Sequence, residues 1–206
     1  MANKAEQGKQ KAAVLPAAFV VLGALLVVAA VALAGYNLVY DRSAEQRAQQ
    51  VLEDVRAQMP EHALLDYAAP SGKLVSVQVD GRSYVGIVEL PALDVCLPVQ
   101  STWSEENVDL CPGVLAGTPY EGNLVLGGMN YASHFGRIAD MADGETVTFT
   151  DMNAHTFTYR VASAETVDAR DWDAIRAGGD WNLALFCSTY SGMQATVVRC
   201  VAQHAT

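Results

Sequence analysis

The chain has 206 residues, 51% of them hydrophobic, and a formal net charge of −10. That length holds one ordinary domain plus additional segments. The acidic balance, with no basic stripe, excludes a nucleic-acid binder, which needs clustered Lys and Arg.

Lys4, Lys9 and Lys11 precede a run from Ala12 to Tyr40 that lacks charged residues and is dominated by Ala, Val and Leu. A bilayer core needs about 20 apolar residues of helix, so residues 12–40 are expected to form a transmembrane anchor. The lysines orient residues 1–11 toward the cytoplasm and the remainder outside, as a single-pass protein. A cleaved signal peptide is the competing reading, with an apolar region of about 7–15 residues and a small-residue cleavage site. Ala29-Ala30-Val31-Ala32 mimics such a site, but apolar sequence continues to Val39.

Residues 41–72 read as a juxtamembrane helix and linker. From Asp41 to Met59 the apolar positions Val51, Leu52, Val55 and Met59 recur at helical spacing, and Pro60 ends the pattern. Glu61 to Gly72 carries the breaker run Ala-Ala-Pro-Ser-Gly. From Lys73 the texture changes to short strands. Val75 to Val79 alternates apolar and polar residues before a hairpin turn at Asp80-Gly81, and Tyr84 to Leu90 follows. Val95–Val99, Asn123–Leu126, Thr146–Thr150 and Thr156–Val161 are further strands. A helical piece spans Asp171 to Arg176. Two apolar strands around a Tyr-Ser-Gly turn close the chain between Trp181 and Cys200. Many short strands with one or two helices predict a mainly β fold, a closed or nearly closed barrel.

All four cysteines, Cys96, Cys111, Cys187 and Cys200, fall in the exported part, where disulfides persist. Four cysteines allow three complete pairings. Cys96 with Cys111 and Cys187 with Cys200 is the simplest, because each pair closes a short loop; free buried thiols are the alternative. No CxxC or histidine pair suggests structural zinc, and Asp140, Asp143 and Glu145 are not spaced as a calcium loop. No metal or cofactor is expected.

Four segments resemble the sortases, cysteine transpeptidases of Gram-positive cell surfaces, in their class B-like branch. They are Leu90-Pro-Ala-Leu-Asp-Val-Cys-Leu-Pro-Val99, Trp103-Ser-Glu-Glu-Asn107, Asn123-Leu-Val-Leu-Gly-Gly-Met-Asn-Tyr-Ala-Ser-His-Phe-Gly136 and Gly179-Asp-Trp-Asn-Leu-Ala-Leu-Phe186 with the hairpin after it. Gly35-Tyr-Asn-Leu38 at the membrane exit is similar to its counterpart as well. The resemblance implies a closed β-barrel of about eight strands with short helices over residues 73–206, preceded by an N-terminal helix. It also implies a sorting-signal (LPxTG-like) peptide, or a surface or pilin protein, as partner.

The resemblance further implies that Met129 stands where the family has its catalytic histidine, Ser188 where it has the nucleophilic cysteine, and Ala195 where it has an arginine. Asn130, Tyr131, Thr189 and Tyr190 would line the peptide groove. Thioacyl transfer needs a thiolate. Serine requires an adjacent base, Met129 cannot carry a proton, and Ala195 offers no donor to an oxyanion. The expectation is a sortase-family protein impaired in transpeptidation that keeps its groove. The alternative is an active transpeptidase using Cys187 in a shifted register with His134 and Arg199. Strand alternation weighs against it, since a shift of one residue turns a side chain to the opposite face. His155 and His204 read as solvated loop and tail residues, and His62 is assigned no role.

Overall fold

The computed structural model describes residues 3–63, 73–177, 179–189 and 191–203, with side chains in those stretches except at 3–18, 37–42 and 44. Two compact units divide the chain, Met1–Arg42 and Ser43–Thr206. Helix α1 is Asn3–Ala57. Within the first unit, Phe19–Tyr36 has a mean hydropathy of 2.5 and no buried residue, which makes this helix long and apolar enough to cross a membrane.

In the second unit, the helical turns from residue 45 onward bury one stripe, Ala48, Val51, Leu52 and Val55, in the same core as the barrel. Arg56 reaches from this helix to Glu89 at 3.6 Å and to the Cys96 Sγ at 3.1 Å. The predicted linker lies largely at residues 64–72, outside the described residues.

The strands are β1 (Val77–Val79), β2 (Arg82–Leu90), β3 (Val95–Gln100), β4 (Gly113–Ala116), β5 (Leu124–Gly128), β6 (Thr146–Asp151), β7 (Thr156–Asp168), β8 (Leu183–Ser188) and β9 (Gln194–Ala202). Helix α2 (Trp172–Arg176) lies between β7 and β8, capped by the Asp171 side chain on the Ala174 N–H. The order is β1-β2-β3-β4-β5-β8-β9-β7-β6, and pairing of β2 with β6 closes β2 to β9 into an eight-stranded barrel. β1 adds only a hairpin through Asp80 and Gly81, both at the positive φ that a primed two-residue turn needs. Closure depends on Gly86, where a Cβ would collide with the Thr150 carbonyl of β6.

Two strand features were not legible in the sequence. β4 is four uniformly apolar residues between Pro112 and Gly117, too short to show alternation. β7 continues seven residues past its predicted end at Val161, through small and polar residues held by pairing with β9.

Barrel alternation sorts the closing hairpin into two faces. Leu183, Leu185, Cys187, Val198 and Cys200 belong to the interior core. Ala184, Phe186, Ala195 and Val197 form a second, outer cluster with Val125 and Ile175, against which Trp103, Trp172 and Trp181 pack. Trp103 and Phe186 have ring centroids 5.4 Å apart, as do Trp103 and Trp172.

Candidate active site

β5, β8 and β9 lie side by side, and their register assembles the candidate site. Gly128 pairs with Cys187 in the parallel β5–β8 ladder, so Met129, the first residue past β5, and Ser188, the last of β8, each follow a member of that pair. Ser188 is directly opposite Ala195 in the antiparallel β8–β9 ladder. The three positions named from the family resemblance thus fall just past the end of β5, on β8 and on β9. Met129 is half-buried and Ser188 exposed, whereas Ala195 is 1% exposed within the outer cluster. No thiol, imidazole or guanidinium is supplied by these three residues.

The groove candidates around them are partly described. Thr189 is half-buried and tied to Gln194 through its N–H (2.7 Å) and hydroxyl (3.0 Å), both donating to the Gln194 carbonyl. The Tyr131 carbonyl accepts from the His134 and Gly136 N–H groups, each at 3.0 Å. Gly136 packs against Asn130 and Tyr131 so closely that a Cβ would overlap the Asn130 Oδ1 and the Tyr131 carbonyl. Tyr190 lies outside the described residues.

In the alternative constellation of Cys187, His134 and Arg199, the arginine stands on the opposite sheet face from the thiol, and each member has a structural occupation. Cys187 turns into the barrel core at 3% exposure, its thiol donating to the Ser188 carbonyl at 3.4 Å, and burial pushes its pKa up to about 12. The physical reason is strand alternation: Ser188 takes the outward face, so its neighbour takes the inward one. His134 is fully enclosed, which pushes its pKa down to about 3 and keeps the ring neutral. Its Nδ1 accepts from the Met129 N–H at 3.2 Å and the Phe135 N–H at 3.0 Å. Arg199 shares the outer face with Ser188 but is spent on a bracket. It donates to Glu165 at 2.9 Å and to the Ala174 and Ile175 carbonyls of α2 at 2.8 and 3.2 Å. Its guanidinium also lies 5.0 Å from the Trp181 ring centroid.

The candidate disulfides are likewise corrected, because all four cysteines are free. Cys187 pairs with Thr196 and Cys200 with Leu183, so the two are four residues apart along the hairpin. That is about 13 Å at strand rise, beyond the reach of a disulfide. Cys96 faces Glu89 and Arg56, whereas Cys111 is buried in the barrel interior. Burial pushes the Cys96 thiol up to about 11 and those of Cys111 and Cys200 to about 12.

His155 is half-buried rather than solvated. It joins Tyr120 and Asp151, its Nδ1 lying 3.2 Å from the Tyr120 hydroxyl, which donates to the fully buried Asp151 carboxylate. Asp151 also accepts from the Asn153 and His155 N–H groups at 2.9 Å each, so the cluster staples the β6–β7 turn. Spacing in the sequence gave no sign that Tyr120 would meet this turn. Beside it a cavity of about 620 Å³, lined in part by Tyr120, Phe157 and Asn182, opens where β8 begins, at the other end of that strand from Ser188. Among the described residues no group of three His, Cys, Asp or Glu side chains is arranged to hold a metal ion.

This barrel is the fold of known transpeptidases. It is similar to a sortase D5 transpeptidase of Clostridium perfringens, with a TM-score of 0.61 and 13% identity over 77% of this chain and 99% of that one. It is also similar to sortase C of Streptococcus pneumoniae (TM-score 0.54, 21% identity, 82% and 90% covered). Sortase A of Corynebacterium diphtheriae is similar again (TM-score 0.54, 16% identity, 81% and 85% covered). Identities this low carry the fold alone. No curated protein sequence matches. Residues 88–203 match the sortase domain, more than half of the chain, and the protein belongs to the sortase family.

Proposed function

We propose that this is a membrane-anchored, class B-like sortase-family protein impaired in transpeptidation, which keeps a groove for a sorting-signal-like peptide or for the surface or pilin protein that bears it. The observation carrying this reading is the row formed by Met129, just past β5, and the paired Ser188 and Ala195 of β8 and β9, with no thiolate, proton carrier or cation among them. A serine hydroxyl without a neighbouring base is a poor nucleophile, and loss of an oxyanion donor alone costs about 3–4 kcal/mol of barrier. The four native thiols offer no substitute, since burial raises each pKa well above the ordinary thiol value.

Class B-like membership is supported by the strand motifs, and anchoring by the apolar stretch of α1 with lysines before it, which orient the barrel outward. The experiment is direct. Full-length protein in detergent micelles receives a fluorescent LPxTG-like peptide and an amine acceptor. Saturable binding without cleavage is expected. Steady turnover of the peptide overturns the impairment, and absence of binding overturns the groove.

A further inference from the structure

Both backbone groups of residue 129 are engaged by the His134-Phe135 step, the N–H by the His134 ring and the carbonyl by the Phe135 backbone. The Met129 N–H donates to the His134 Nδ1, and the Met129 carbonyl accepts from the Phe135 N–H at 3.2 Å. The same Phe135 N–H is shared with the His134 Nδ1. The ring has its place because Gly128 lacks a side chain: a Cβ there would lie 2.7 Å from the His134 Cε1 and would also overlap the Phe135 ring. Accepting two N–H groups at Nδ1 puts the single ring proton on Nε2, which is buried with no partner among the described residues. An unpaired buried donor is a cost that packing alone does not require.

We propose that His134 is a positioning residue for the groove: by holding the Met129 backbone at the end of β5, it fixes where the side chain at 129 stands beside Ser188, whatever that side chain is. This rests on the reading that the row of residues 129, 188 and 195 is the family-equivalent site. The row is then preformed by a residue outside it, so substitution at 129 changes the chemistry of the site and leaves its geometry.

The test uses full-length protein in micelles, with ¹⁵N-labelled histidine and amide hydrogen exchange read by NMR. In the unsubstituted chain His134 should show the neutral tautomer with an unprotonated Nδ1, and the Met129 amide should be protected. His134→Asn keeps an acceptor near the Nδ1 position and should preserve that protection. His134→Leu removes the acceptor and should speed Met129 exchange at least about fivefold, the equivalent of one hydrogen bond, while Leu126 and Leu185 stay protected. A protonated Nδ1, an unprotected Met129 amide in the parent, or an Asn variant no better than Leu overturns the proposal. Should His134→Leu not fold, the tautomer and the Asn variant still decide. None of these readouts involves peptide, so a failure of peptide binding bears on the proposed function separately.

Discussion

Ser188 and Ala195 stand directly opposite one another on β8 and β9, yet Ser188 is exposed and Ala195 is 1% exposed. They share one sheet face but differ in cover, because Ala195 sits in the outer cluster with Ile175 of α2 while Ser188 ends its strand. Of the substituted pair, Ser188 is open to solvent and Ala195 is covered.

That difference predicts the outcome of restoring a cation. Ala195→Arg must find room in a packed cluster and bring a charge with it. It should destabilise the protein by about 1–3 kcal/mol through overpacking alone, read as a lowered urea midpoint. Ser188→Cys at the exposed position should leave the midpoint within about 0.5 kcal/mol.

Thiol chemistry separates Cys187 from its neighbour. Under native conditions at pH 7.5 the four native cysteines should react slowly with iodoacetamide, since burial is the leading cause of each raised pKa. Ser188→Cys should add one rapidly alkylated site by mass spectrometry, and denaturation should expose all the rest. Rapid native labelling of Cys187 would contradict its inward orientation.

His134 predicts an acid sensitivity. Its pKa is about 3 in the folded protein, below the ordinary value of 6.5. Between those values the unfolded chain binds a proton that the folded chain refuses. Stability is thus fully present above pH 6.5 and falls as pH drops toward 3, by up to about 1.4 kcal/mol per pH unit from this group. Urea midpoints measured from pH 7.5 to 4.5 should fall more steeply in the parent than in His134→Asn.

Arg199 predicts a loss that lysine cannot repair. Its guanidinium joins Glu165 of β7 to two carbonyls of α2 and lies over Trp181. Arg199→Met should cost about 1–3 kcal/mol by leaving carbonyls unsatisfied and should alter tryptophan fluorescence. Arg199→Lys should recover less than half of the loss, since one ammonium cannot reproduce the planar fork.

Much of the fold was legible along the chain. Strands with alternation or a clear turn, such as β2 behind Asp80-Gly81 and the closing hairpin, were read within a few residues of their ends. β4 and the second half of β7 were not, because their strand state comes from neighbours rather than from local pattern. Within the site, alternation already indicated that Cys187 and Ser188 face opposite ways, whereas the cover over Ala195 and the occupation of His134 had no local signal.

The sequence by itself determined the family, the apolar helix and the residue types at 129, 188 and 195, since motif, hydropathy and side-chain chemistry are properties of the chain read in order. Only the tertiary structure decided which groups meet. The parallel β5–β8 register brings Met129 to Ser188, α2 encloses the face that holds Ala195, and the turn after β5 folds His134 back under Gly128. Burial and hydrogen-bond partners arise between residues distant in the chain, and they decide whether a thiol, an imidazole or a guanidinium is free to act.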